Sequence, residues 1–271
     1  MSFKLLTILD IIDKHKGIPA ILQCHGPSAD KNKDAISEFC KNNETVIFGI
    51  NEWHQFKNDV KPDYWLRSFP QRPSIELDYE YYNEHTKGGV TLLSCDVVDS
   101  SSLESAMENL TCSYLPFDLR HFNRQSCQDN FSKDPKWFLP RYFTFFSDCC
   151  NRKGRITLQE ELKRYTDYDE LYSPSTHTSA INMIAFAIIM GCNPIYINGM
   201  DLDYNISTES HAELKEGEIL PGTPGNSWSD WRQDWITRDF NIVNESAKCI
   251  NTDIINLTHN TWYGIFQEGN I

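Results

Sequence analysis

Apolar residues fall along this chain in short runs that stop at glycine, proline or small polar residues, and helical periodicity fills the stretches between them. The runs cover 19–23, 45–50, 61–66, 89–95, 195–198 and 253–257. Their nearly unbroken apolar character predicts strands covered on both faces, as in a parallel sheet. After the first run, residues 29–42 place Ala35, Ile36, Phe39 and Cys40 on one helical face. Residues 4–16 read as an amphipathic helix and 230–249 as a last helix. Residues 180–190 are apolar almost all round, follow a cap cluster at 173–179 and end at Gly191, which predicts a central, buried helix. Strands alternating with helices argue for crossover units, and so for an α/β fold with a mostly parallel sheet flanked by helices. From 96 to 172 the pattern is irregular, rich in aromatics and interrupted by Pro116, Pro135 and Pro140. We expect there an inserted helical lid or lobe within one domain spanning 1–271.

Two segments share one build. Gly17 to Ser28 and Pro194 to Tyr204 each carry an apolar run that ends abruptly at glycine beside small or acidic residues. In an open α/β sheet ligands bind beyond the carboxyl ends of such strands, where backbone N–H groups face the crevice. Gly26-Pro27-Ser28 suits a phosphate, because glycine permits close backbone approach and Ser28 adds a hydroxyl; a tight strand-to-helix turn with a serine cap has the same text. Asn51, directly after the second run, is read as a ribose or base partner or as a local turn residue. Thr178 and Ser179 open the buried helix with hydroxyls and unpaired N–H groups. Gly199-Met200-Asp201-Leu202-Asp203-Tyr204 puts two carboxylates just past a buried strand. Carboxylates so placed bind ribose hydroxyls, hold a metal or act as a base, since an unpartnered charge there would be costly.

Other candidates carry open alternatives. His211 lies in the Gly- and Pro-containing loop 205–229 and reads as a general acid or base, or as a solvated histidine. His25 is a site residue or packing. Trp228, Trp231 and Trp235 share one helical face, which favours core packing over a stacking platform. The fingerprint G-x-G-x-x-G, a Walker loop, a G-x-S-x-G elbow and zinc-ligand spacings do not occur, so dehydrogenase, P-loop ATPase, triad hydrolase and zinc readings lack their defining residues.

Composition narrows the partners. The 271 residues carry 38 acidic against 25 basic side chains, a formal net charge of −13, which removes the long-range field that gathers nucleic acid. A few backbone amides can still hold a small anion locally. Nine cysteines without a C-x-x-C pair read as reduced thiols, and the N-terminus shows no apolar export segment; both predict a cytoplasmic protein. The longest apolar run, 183–192, is about half of what a membrane span requires.

Taken in order, the segment Ile18-Pro-Ala-Ile-Leu-Gln-Cys-His-Gly-Pro-Ser-Ala-Asp-Lys-Asn32, Val60-Lys-Pro-Asp-Tyr64, Thr178-Ser179 with its apolar helix, and Gly199-Met-Asp-Leu-Asp-Tyr204 followed by His211-Ala212 resemble the MptE-like family. That family includes 6-hydroxymethylpterin diphosphokinases and motility-associated-factor glycosyltransferases, and is more distantly similar to bacterial CMP-sialic acid sialyltransferases. The resemblance implies a Rossmann-like sheet with a nucleotide in its crevice. It implies Gly26, Pro27 and Ser28 near phosphates, Asn51 near the base or ribose, Thr178 and Ser179 near phosphate or sugar, and Gly199, Asp201 and Tyr204 around the nucleoside. The diphosphokinase branch carries a His-Gly-Asp-Asn segment near its C-terminus, where this chain has His259-Asn-Thr-Trp-Tyr-Gly264, a departure that counts against pterin phosphoryl transfer. The function so implied is a glycosyltransferase that uses a nucleotide-activated sugar, a CMP-linked nonulosonic or sialic acid, to modify a surface glycan or protein. His211 or Asp203 would deprotonate the acceptor and no cofactor would be required. The alternatives are a pterin-type diphosphokinase using ATP with magnesium on Asp201 and Asp203, or a nucleotide-binding module without turnover.

Overall fold

The computed structural model describes residues 3–6, 10–56, 60–67, 79–94, 100–116, 179–201, 215, 251–258 and 264–271, with positions 237, 240, 241, 243, 244, 247, 248 and 250. Among them nine strands form one sheet: β1 (Lys4–Leu5), β2 (Ala20–Gln23), β3 (Val46–Ile50), β4 (Tyr64–Arg67), β5 (Thr91–Ser94), β6 (Ser113–Pro116), β7 (Ile195–Asn198), β8 (Ile254–Asn256) and β9 (Gln267–Glu268). The order is β1-β6-β5-β4-β3-β2-β7-β8-β9, and each neighbouring pair is parallel. From β2 the chain steps outward through β3, β4, β5 and β6, then returns to the other flank of β2 with β7 and continues to β8 and β9. The order therefore reverses between β2 and β7, which is where an open α/β sheet opens its crevice.

Pleating decides which side chain faces which layer. Ala20 and Leu22 of β2, Phe48 of β3, Tyr64 and Leu66 of β4, Leu93 of β5 and Leu115 of β6 join the core cluster that contains helix α4 (Ser179–Ile189). Their neighbours point the other way. Ile21 packs with Ile36 of α1 (Lys33–Asn42), and Trp65, Leu92 and Tyr114 pack with Tyr82 of α2 (Tyr79–His85) and Ala106 of α3 (Ser100–Asn109). The sheet is thus covered on both faces, which is why its strands read as continuous apolar runs. Every residue of α4 is buried, and it lies against β2, β3 and β4. Each of its large apolar side chains contributes roughly 1.5–3 kcal/mol by leaving water.

The expected Rossmann-like sheet is present, with corrections at its ends. Where described, residues 4–16 do not form the expected α-helix. Lys4–Leu5 adds an edge strand beside β6, and the chain then folds into turns whose backbone serves α4: Asp13, His15 and Gly17 N–H donate to the carbonyls of Ile189, Met190 and Gly191 at 3.0, 2.8 and 2.8 Å. These are the carbonyls that a helix end leaves without intrahelical partners, and a buried helix end must find donors for them. Residues 100–116 of the stretch expected to be an irregular lobe instead form α3 and β6, and β6 pairs with β5 inside the sheet. Residues 117–172 of the expected lobe lie outside the described residues. The predicted helix at 230–249 is helical at the positions described between 237 and 248. The strand β9, helix α2 and the turn at Trp53–Gln55 had no counterpart in the sequence pattern.

At the amino end of β4, the Tyr64 hydroxyl accepts a hydrogen bond from Lys14 Nζ (2.8 Å) and meets His15 Nε2 at 2.7 Å. Burial, and then the neighbouring Lys14 charge, holds His15 below its ordinary value of 6.5, so the neutral ring accepts the Tyr64 proton. A histidine whose pKa is lowered on folding stabilises the fold above about pH 6.5, and that contribution is lost as pH falls toward the folded-state value. The thermal midpoint is expected to fall between about pH 7 and about pH 5, and to fall less steeply in His15→Gln. Parallel profiles for the two proteins would contradict this assignment.

Candidate functional site

Beyond the strands, the tips of β2 and β7 remain paired. Gln23 lies opposite Asn198 in register, Cys24 N–H donates to the Asn198 carbonyl, and Gly26 N–H donates to the Gly199 carbonyl, both at 2.8 Å. Two glycines permit this. A Cβ on Gly26 would stand 2.0 Å from Asp201 Oδ2 and 2.6 Å from the Gly199 carbonyl oxygen. Gly199 has φ +73°, and a Cβ there would stand 2.6 Å from the Cys24 carbonyl oxygen and 2.7 Å from Ala29 Cβ. The closest demand on Gly26 therefore comes from the other tip.

Pro27–Asn32 forms a 3-10 turn that opens on Gly26 and carries proline in its first positions, where the missing N–H costs nothing. Ser28 N–H and Oγ–H both donate to Asp201 Oδ2, at 3.0 and 2.8 Å, and Ser28 Oγ also meets Thr258 Oγ1 at 2.9 Å. Asp201 is thus the anion at the amino end of this turn, and a phosphate on the same donors would have to displace it. Ser28 positions Asp201 between the two tips. Beneath them runs a buried amide network: Asn198 Nδ2 donates to Gln23 Oε1 (2.9 Å) and to the Ala29 carbonyl (3.3 Å), and Asn32 Nδ2 donates to Asn198 Oδ1 (2.9 Å) and the Leu257 carbonyl (3.2 Å). Thr258 N–H caps Asn256 Oδ1 at 3.1 Å. Sequence reasoning passed over Gln23, Asn32, Asn198, Asn256 and Thr258. The signal was visible: β2, β7 and β8 each end in a carboxamide residue, and each is buried. Cys24 sits at the same place, and burial followed by the charge of Asp201 pushes its thiol up to about 12, so it stays neutral and packs as a small apolar group.

One strand further along, Asn51 follows β3 with φ 44°, a left-handed conformation that asparagine tolerates. Its N–H donates to the Leu66 carbonyl (2.9 Å) and its carbonyl accepts Trp65 Nε1–H (2.6 Å). Its side-chain Oδ1 is buried with no hydrogen-bond partner among the described residues. Leaving such a group unsatisfied costs roughly 1–3 kcal/mol, so a ligand donor there has a clear energetic role. His25 stacks on Phe56 with ring centroids 4.0 Å apart, which supports the packing reading of that residue.

The structure thus brings Gly26, Pro27, Ser28, Gly199 and Asp201 together at the reversal of strand order, with Asn51 at the adjacent tip. Ser179 is buried at the start of α4. Thr178, Asp203, Tyr204, His211, Trp228, Trp231 and Trp235 lie outside the described residues. Among the described residues, no group of three or more His, Cys, Asp or Glu side chains is arranged to hold a metal ion.

Residues 129–221 match the family model of the alpha-2,3-sialyltransferase (CST-I) family. That stretch contains Thr178, Ser179, Gly199, Asp201, Asp203, Tyr204 and His211. Similar solved structures include the sialyltransferase CstII from Campylobacter jejuni in complex with CMP-3FNeuAc, at 16% identity and TM-score 0.47 over 93% of this chain and 86% of that one. The monofunctional alpha-2,3-sialyltransferase Cst-I from Campylobacter jejuni is similar at 14% identity and TM-score 0.48, over 95% and 82% of the two chains. The MAf glycosyltransferase from Magnetospirillum magneticum AMB-1 is similar at 15% identity and TM-score 0.46, over 96% of this chain and 34% of that one. No curated protein matches the sequence.

The tip geometry sets a stability test. Gly199→Ala combines a positive φ with two overlapping contacts and is expected to cost roughly 2–4 kcal/mol in denaturant unfolding. Ser28→Ala, which removes the Oγ–H bond to Asp201 and the Oγ acceptor for Thr258 Oγ1–H but leaves the backbone N–H, is expected to cost about 1 kcal/mol. A Gly199→Ala protein as stable as wild type would mean that the tips do not pack in this way.

Proposed function

From the match of residues 129–221 to the alpha-2,3-sialyltransferase (CST-I) family model, we propose that this sialyltransferase-like glycosyltransferase transfers a nonulosonic (sialic) acid from its CMP ester to a glycan or protein acceptor in the cytoplasm. The observation that carries this reading is the paired β2 and β7 tips at the reversal of strand order, the place where a parallel sheet receives a nucleotide.

In this reading Asp201 and the Gly199 backbone face the nucleoside, and Tyr204 is assigned to the nucleoside from the sequence alone. The partnerless Asn51 Oδ1 accepts a hydrogen bond from ribose or base. Ser179 opens an eleven-residue helix, whose N–H groups and dipole suit the phosphate, and Thr178 precedes it in the sequence. The bond between the sugar's anomeric carbon and the phosphate oxygen breaks, the electron pair leaves with CMP, and the acceptor hydroxyl attacks the oxocarbenium-like centre. His211 or Asp203 takes the hydroxyl proton. Stabilising the departing phosphate is the largest electrostatic demand of this step, and amides fixed by the fold meet it without reorganisation. No metal enters the scheme.

Several observations support the setting. Cys24, Cys40, Cys112 and Cys192 are free thiols, as suits a reducing compartment. No helix among the described residues is long and apolar enough to cross a membrane. The net charge of −13 argues against a nucleic-acid partner.

Thermal shift tests the donor directly. CMP at about 100 times its dissociation constant is expected to stabilise the protein by about 2.7 kcal/mol without magnesium, and to do so less in Asn51→Ala. Stabilisation by ATP only with magnesium, and none by CMP, would overturn the transferase reading in favour of phosphoryl transfer. For the chemical step, replacing the base among His211→Ala and Asp203→Ala is expected to slow transfer by about 10²–10⁴ while CMP binding persists. Full transfer activity in both variants would remove both from the mechanism.

A further inference from the structure

At the tips of β3 and β4 lies a second group of polar side chains that the nucleotide site does not use. The turn Trp53–Gln55 carries three of them: Trp53 Nε1, His54 Nδ1 and Gln55 Oε1 are buried with no hydrogen-bond partner among the described residues. Buried polar atoms are nearly always paired, so three in consecutive positions mark a place where something polar binds. His54 stacks on His85, from the end of α2, with centroids 3.7 Å apart and planes 23° from parallel. Tyr81 closes one side, 5.5 Å from the His54 ring and 4.6 Å from the His85 ring.

Charge at this spot runs against the rest of the chain. Arg67, the last residue of β4, holds its guanidinium 5.4–5.9 Å from the Trp65, Tyr81 and Tyr82 rings and pairs with Glu52 at 3.4 Å, both side chains largely covered. Lys215 reaches in from the far segment: its N–H donates to the Gln55 carbonyl (2.8 Å) and its Nζ to the His54 carbonyl (2.5 Å). Burial first, then His85, Lys215 and Arg67, pushes His54 down to about 4. Among the described residues, two cations and two imidazoles face one carboxylate here, in a protein of net charge −13. Such a cluster lowers the cost of seating an anion, and the aromatic faces around it suit a sugar ring.

Adjacent strands are about 4.8 Å apart, so the β3 and β4 tips lie roughly 5–10 Å along the crevice from β2, the span of a sugar beyond a bound nucleotide. We propose that Trp53, His54, His85 and Arg67 form the acceptor end of the crevice and bind the oxyanion of an acidic saccharide, so that the second substrate carries a carboxylate or a phosphate group. The assignment of this ligand as acceptor rests on the transferase reading above, while the binding itself does not.

The test is a titration of the whole chain without donor, following the His54 and His85 ring Cε1–H signals by NMR at constant pH. Glucuronate and glucose 6-phosphate serve as the acidic probes and glucose as the neutral one. Saturable shifts of both histidines with an acidic probe, and none with glucose, are expected; the tighter of the two acids names the oxyanion. His85→Phe, which keeps a ring on His54 but removes the imidazole, is expected to weaken that binding about tenfold with the CMP thermal shift unchanged. Absence of shifts with both acids, or equal shifts with glucose, overturns the proposal, as does undiminished binding in a folded His85→Phe. If that variant does not fold, the wild-type titration decides alone. A retained CMP response without acid binding sinks this inference only, whereas acid binding without any CMP response sinks the donor reading only.

Discussion

The hydrogen bond from Gly26 N–H to the Gly199 carbonyl, 2.8 Å long, joins two strand ends that are 173 residues apart and sets everything above it. It requires two glycines, because a methyl group at either one would overlap the other tip. Once the tips are joined, Asp201 is delivered to the amino end of the turn that begins at Pro27, and Ser28 holds it there by two hydrogen bonds. The carboxylate is thereby fixed by donors that a helical start leaves available. A nucleoside approaching the crevice meets an acidic group in a defined place, which suits recognition of ribose hydroxyls better than of a phosphate.

The sheet makes this junction rigid. β2 and β7 are central strands with five more strands on one side and two on the other within one parallel array. Helix α4 packs beneath β2, β3 and β4 and is anchored at its far end by the N–H groups of Asp13, His15 and Gly17. Its near end, at Ser179, faces the crevice side of the fold. The helix thus ties the amino-terminal turns to the site through a buried rod, and its almost entirely apolar surface follows from being covered on all sides.

Much of this was legible because parallel strands buried on both faces are long apolar signals. Ile195–Asn198 has the bounds that its text predicts, and β2, β3 and β5 lie within the runs that announced them. The pairing of the two glycine-ended segments was legible too, since both break an apolar run at the same kind of residue. What escaped the pattern was structure whose stabilisation is not local. Residues 4–16 carry helical periodicity, yet Ile11 is drawn into the core and the backbone of Asp13, His15 and Gly17 is claimed by the end of α4, a partner far away in sequence. The two-residue edge strands β1 and β9 are too short to show a period. At the site, Gly26 and Ser28 suggested a phosphate cradle, while the geometry gives their closest neighbours as Gly199 and Asp201; a motif read one segment at a time does not reveal that its partner is another part of the same chain. The carboxamides of Gln23 and Asn198 were read as strand ends, although polar side chains at fully buried positions had to be paired with one another.

The account's central claim is that the joined β2 and β7 tips hold a nucleoside monophosphate. A crystal structure of the protein with CMP tests it most directly. The account predicts the nucleoside against Gly199 and Asp201, with Asn51 Oδ1 accepting a hydrogen bond from it. CMP bound elsewhere, with Asn51 Oδ1 still without a partner, would contradict it.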